Sequence, residues 1–217
     1  MRSLLINTCG AEGVVALAEE DAVLAVECLP GRAGSEHLMP AIKRLFDGKG
    51  EKVRELGAIV VVNGPGSFTG ARVGLSVAKG LAEAGGAHLL ALSRLALVAA
   101  ASTAEATNAL ALLHAGRSEF FCYFFRDGTG ATEELLGLET VRHLLGSRQG
   151  ITCEPQVADA LGDGITLILE PGPEQMLTMA RERMARGAWD DVALSDANYL
   201  RRTDAELLAD SRGGTAC

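Results

Sequence analysis

Seven residues, Gly64-Pro65-Gly66-Ser67-Phe68-Thr69-Gly70, separate an apolar run, Ala58 to Asn63, from a stretch rich in small residues, Ala71 to Ala84. Three glycines reach positive φ without a Cβ clash and the proline stiffens the turn. Backbone amides left free there, with the unpaired donors and positive dipole end of a following helix, suit an anion. Gly64, Gly66, Ser67, Thr69 and Gly70 therefore form a candidate anion or nucleotide loop, with a purely structural turn as the alternative. The run lacks the Gly-Lys-Ser/Thr ending of a P-loop, and glycines at 64, 66 and 70 do not fit the dinucleotide spacing. No Gly-x-Ser-x-Gly elbow makes Ser67 a nucleophile, so it is read as a turn or phosphate-contact hydroxyl.

Other chemistry has little to work with. The four histidines, His37, His88, His114 and His143, are scattered with no i, i+4 pair, so no metal site is expected and His37 is read as a partly exposed helix residue. A magnesium nucleotide in a kinase-like cleft calls for an acid at the end of the first strand, where this chain has Asn7; Asn7-Thr8 is read as satisfying a turn instead. Five cysteines, Cys9, Cys28, Cys122, Cys153 and Cys217, form no Cys-x-x-Cys pair and are odd in number, which fits a reducing cytoplasm. A net charge of -8 argues against broad adhesion to nucleic acid or to an anionic membrane, and no long apolar span is present.

These residues need a frame to hold them. Leu4 to Asn7, Val14 to Ala18 and Val23 to Cys28 read as three antiparallel strands. A helix follows with Ser35 as N-cap and Leu38, Ile42, Leu45 and Phe46 at helical spacing, Pro40 tightening its start. Strand Ala58 to Asn63, helix Ala71 to Ala84, strand Leu89 to Leu92 and a helix capped near Ser93 complete a β-β-β-α-β-α-β-α order. That order suits a mixed sheet with helices packed on it, as in ribonuclease-H-like domains or a generic α/β sandwich. A second unit is expected from about Ser102, with strands Ala109 to His114 and Glu119 to Arg126, a turn at Asp127 to Gly130, a strand near Ile165 to Leu169 and a helix Pro173 to Arg186. The tail after Asp210 is expected to fray, and no short-period repeat is visible.

Helix 71 to 84 has small residues on two sides: Ala71, Gly74 and Ala78 on one, Gly80 and Ala84 on another. Interior glycines cost about 1 kcal/mol each against alanine, so close approach of a helix from another molecule is the expected compensation, with tight packing on the protein's own sheet as the alternative. Arg72 and Lys79 are read as rim or anion contacts, or as solvated charges.

The run Gly64 to Ala82 resembles the signature of the TsaB (YeaZ) family, bacterial proteins needed for threonylcarbamoyladenosine formation on tRNA. Ser35-Glu36-His37-Leu38-Met39-Pro40 is similar to that family's first-helix start, Ala115 to Phe121 to the start of its second domain, and Tyr199-Leu200-Arg201 to its C-terminal region. The resemblance implies an α/β fold of two ribonuclease-H-like lobes of the acetate kinase, sugar kinase, Hsp70 and actin type, here 1–101 and 102–217, with the C-terminal helix packing back on the first lobe. It implies a cytoplasmic, non-catalytic subunit that stabilises the paralogous TsaD, acts together with TsaE, forms a homodimer when alone and meets tRNA only through the complex. The implied partner interface is Ser35, His37, Leu38, Ile42, Leu45, Ala71, Gly74, Leu75, Ala78 and Leu81. The family's usual acids are replaced by Asn7 and by His114 in His114-Ala115-Gly116-Arg117, so no cofactor is expected, ATP included. The alternative is a phosphotransferase or glycoprotease-like metallohydrolase working at the Gly64 to Gly70 loop.

Overall fold

The computed structural model describes residues 1–31, 34–101, 108–126 and 130–200. Alternation of apolar side chains in a chain with short turns first produces a meander: β1 (Arg2–Asn7), β2 (Gly13–Glu19) and β3 (Ala22–Leu29), paired antiparallel. Next come α1 (Gly34–Lys49), a 3-10 turn (Val53–Glu55), β4 (Ala58–Gly64), α2 (Phe68–Gly85), β5 (His88–Ser93) and α3 (Arg94–Ala100). β4 pairs parallel to β1, and β5 parallel to β4, giving the order β3-β2-β1-β4-β5. Ala58 to Val62 are all buried, the pattern of a strand covered on both faces. Ser93 caps α3 as expected, its Oγ accepting from Ala96 N at 3.3 Å. α1 begins at Gly34, so Ser35 lies inside its first turn, not before it.

The second half is richer than its sequence suggests. β6 (Ala109–Gly116) and β7 (Glu119–Arg126) fall where expected. They are joined by β8 (Gly130–Gly137), α4 (Leu138–Leu145), β9 (Gln149–Thr152), α5 (Pro155–Leu161), β10 (Ile165–Leu167) and α6 (Pro173–Ala185). β8, α4, β9 and α5 carry weak local signals. β8 contains Glu133-Glu134-Leu135-Leu136, which has no strand alternation, and becomes a strand by pairing with β7 from Glu119↔Gly137 to Arg126↔Gly130. β9 is four residues long and exists through parallel pairing with β6 and β10. The sheet order, β8-β7-β6-β9-β10, repeats that of the first sheet strand for strand. The fold is thus α/β, two mixed five-stranded ribonuclease-H-like sheets flanked by helices.

The first core joins both sheet faces to Leu38, Ile42 and Leu45 of α1, Ala71, Leu75 and Ala78 of α2, and Met176, Leu177 and Ala180 of α6. α6 thereby returns to the first sheet. On the second sheet one face packs on α4 and α5 through Val141 and Val157, the other on α3 through Leu95 and Val98. Leu97 of the same short helix belongs to the first core, so α3 joins the two halves. The tail expected to fray lies outside the described residues.

Candidate functional site

The glycine-rich segment is more compact than its sequence implies. α2 starts at Phe68, not Ala71, because Ser67 is its N-cap: Ser67 Oγ accepts from Gly70 N at 3.2 Å. Gly70 is therefore a helical residue and Ser67 a capping hydroxyl. Added Cβ atoms explain the glycines. At Gly66 a Cβ would sit 2.3 Å from the Cys9 carbonyl oxygen, at Gly70 2.0 Å from that of Thr8, and at Gly74 2.3 Å from Thr8 Oγ1. Ser67 N donates to Cys9 O at 2.9 Å, and Thr8 Oγ1 donates to Gly70 O at 2.6 Å. The β1–β2 turn thus lies directly on the start of α2, and the glycines admit its backbone.

Asn7, at the end of β1, is buried, and its Oδ1 accepts from Cys9 N at 3.0 Å, which shapes this turn. Between the turn and the second sheet lies a cleft of about 580 Å³, lined among others by Thr8, Ser67, Thr69, His114, Gln156 and Glu170. Its floor is an ion cluster. Arg94, the first residue of α3, is 2% exposed. Its Nη1 donates to Glu154 Oε1 at 2.8 Å; its Nε and Nη2 donate to the two oxygens of Glu170 at 2.8 and 2.6 Å. Cys153 Sγ donates to Glu170 Oε2 at 3.1 Å. Glu154 Oε2 accepts from His114 N at 2.8 Å.

Burial alone would disfavour the Arg94 charge, yet the hydrogen bonds and negative charge of Glu170 prevail and hold its pKa above the ordinary value. Burial raises Glu170 too, and the Arg94 guanidinium outweighs it, so the carboxyl lies below the usual carboxylate range. Burial pushes the Cys9 and Cys153 thiols up to about 12, which removes them as nucleophiles at neutral pH. A magnesium nucleotide does not fit these groups: Asn7 carries no charge, and both carboxylates are already engaged by Arg94. Among the described residues no group of three or more His, Cys, Asp or Glu side chains is arranged to hold a metal.

The residues assigned to a partner face divide. Leu38, Ile42, Leu45, Ala71, Gly74, Leu75 and Ala78 are buried in the chain's own core, with α2 lying against β4 and β1. The small residues at 71, 74 and 78 thus serve approach to this chain's own sheet, which corrects their placement on a partner surface. His37 is exposed and Leu81 half-buried; the side chain of Ser35 lies outside the described residues. The outer face of α2 is a different stripe, Arg72, Ser76, Gly80 and Glu83, at i, i+4, i+8 and i+11, all of them exposed. Val73 and Val77 are half-buried, Ala84 is exposed, and a Cβ at Gly80 would meet nothing within 4 Å. Arg72 and Lys79 find partners within the chain. Arg72 lies 3.7 Å from the Phe68 ring centroid and donates to Tyr199 Oη, while Lys79 Nζ donates to the Ala193 and Ser195 carbonyls at 3.2 and 3.0 Å.

Arg94, Glu154 and Glu170 were not singled out by motif. One signal was present: Arg94 is a lone charge in the apolar run Leu89 to Ala101, and a charge there must find a buried counter-ion.

Comparison with known proteins places this architecture. The family described as "TsaD: tRNA N6-adenosine threonylcarbamoyltransferase" matches residues 29–143, more than half the chain and including the glycine-rich segment. A curated relative from Escherichia coli strain K12, "tRNA threonylcarbamoyladenosine biosynthesis protein TsaB", is 29% identical over 219 residues, covering 93% of this chain and 95% of that protein. The chain belongs to the TsaB (YeaZ) family. A protein of the same name from Bacillus subtilis strain 168 is 36% identical over 101 residues, 46% of this chain and 44% of that one. Among solved structures, a Pseudomonas aeruginosa protein "with similarity to peptidase YEAZ" superposes with a TM-score of 0.73 at 26% identity, covering 92% of this chain and 99% of that one. YeaZ from Pseudomonas aeruginosa superposes with a TM-score of 0.70 at 24% identity and the same coverage, which supports the fold. No helix among the described residues is long and apolar enough to cross a membrane.

Proposed function

We propose that this chain takes part in threonylcarbamoyladenosine synthesis on tRNA as a non-catalytic subunit, supporting a TsaD partner through the outer faces of α1 and α2. The near full-length match to a TsaB protein carries the reading. The cleft is consistent with it, since its carboxylates are tied to Arg94 and its thiols are held protonated. In this reading TsaE joins the same assembly, the isolated chain self-associates through the same helices, tRNA is met only within the complex, and no nucleotide is bound. The two lobes divide near residues 101 and 102.

The surface that supports docking combines Met39, 49% exposed, on α1 with the exposed Ser76, Gly80 and Ala84 of α2, flanked by Val73, Val77 and Leu81, which are half-buried against the chain's own core. Gly80 leaves a flat spot where a second helix could approach closely. The alternative enzyme at the Gly64 to Gly70 loop would face the cleft through Gly66, Ser67, Thr69 and Gly70, but the carboxylates across it, Glu154 and Glu170, are engaged by Arg94.

The test is a paired variant, Gly80→Arg with Ala84→Glu, both at exposed positions, mixed with the same organism's TsaD and sized by light scattering. Loss of the complex with an unchanged melting temperature is expected. A complex of native size would rule out this face.

A further inference from the structure

In the interlobe cleft, two carboxylates from different parts of the chain converge on one buried cation. Glu154 follows β9 of the second sheet, and Glu170 lies in the segment that returns to the first. Both bond the guanidinium of Arg94, which is 2% exposed, while their own side chains are 16% and 31% exposed at the cleft wall. Glu170 also reaches the first lobe. A Cβ on Gly10, in the β1–β2 turn, would lie 3.1 Å from its carboxyl carbon. The same guanidinium therefore ties the β1–β2 turn, the start of α3 and the end of β9. Two carboxylates on a shared centre are hard oxygen donors of the kind that divalent cations select. Here that centre is filled by a side chain.

We propose that Arg94 is a tethered substitute for a bound divalent cation: its guanidinium neutralises Glu154 and Glu170 and fixes the two lobes at the cleft, so that the site is complete without metal or nucleotide. A guanidinium suits the role because it is permanently charged and its planar fork can serve one carboxylate side-on while a separate amino group holds the second. Its cost is specificity for that one geometry, so the cleft is held at a single opening. The inference does not depend on the partner reading, since it concerns the isolated chain.

The probe is manganese, with magnesium ATP as a second titrant, on the full chain. The native protein is expected to show no manganese binding by electron paramagnetic resonance and no change in melting temperature with millimolar manganese or magnesium ATP. Arg94→Ala leaves two carboxylates facing each other without a counter-ion. In chelator its melting temperature should fall by roughly 6–20 °C. Millimolar manganese should restore much of that loss, with a bound manganese signal, and the added changes Glu154→Gln and Glu170→Gln should abolish both. If Arg94→Ala does not fold in chelator, refolding it in manganese supplies the same readout. Manganese binding to the native cleft would overturn the proposal. So would an Arg94→Ala chain that manganese neither stabilises nor refolds.

Discussion

Gly70 and Gly80 are ten positions apart on one helix and do opposite things. An added Cβ at Gly70 would meet a backbone carbonyl at 2.0 Å, whereas at Gly80 it would meet nothing within 4 Å. Gly74 belongs with Gly70, since Thr8 lies against both. The first pair is glycine because the chain's own β1–β2 turn occupies the space, which no side chain could share. Among the described residues nothing fills the space at Gly80, and Ala84, one turn on, is exposed as well. The inner glycines are thus explained by folding, whereas Gly80 faces open space.

The strongest way to break this contrast is Gly70→Ala. The Thr8 carbonyl oxygen that the new Cβ meets is backbone and cannot swing aside, so either α2 or the β1–β2 turn must shift, at about 3 kcal/mol or more in urea unfolding. A loss under about 1 kcal/mol would mean that the close approach does not constrain the fold. A smaller effect is expected at the cap between the two regions. Ser67→Ala removes the hydrogen bond to Gly70 N and should cost about 1 kcal/mol, measured the same way, with the partner complex unaffected. The smallest change has the opposite sign. Gly80→Ala should stabilise the isolated chain by about 0.5–1 kcal/mol, since it lowers unfolded-state freedom without a clash. If that variant also weakens partner binding, close helix approach accounts for the glycine; destabilisation instead would show that the position is not open.

Legibility followed the strength of local patterns. β1 to β5 were readable because they are apolar runs bounded by glycine or charged turns, and α3 because Ser93 precedes an apolar helix. β8, β9 and α5 were not, since Glu-Glu-Leu-Leu or a four-residue strand acquires its state from pairing partners far along the chain. The duplicated sheet order was legible only through the family resemblance, because it is a repeat of connectivity with no repeated residue pattern. At the site, the loss of an acid at Asn7 could be read directly. The engagement of Arg94 by Glu154 and Glu170, 60 and 76 positions away, could not.

By itself the sequence determined the class of fold, the family signature at Gly64 to Ala82 and the absence of an acid at the end of β1, since each rests on residue type and short-range order. Which face of α2 each glycine serves, and which cation satisfies the cleft carboxylates, only the tertiary structure decided. The reason is physical: a helix has several faces that differ only in what packs on them, and a buried charge is defined by partners that the fold brings together from distant parts of the chain.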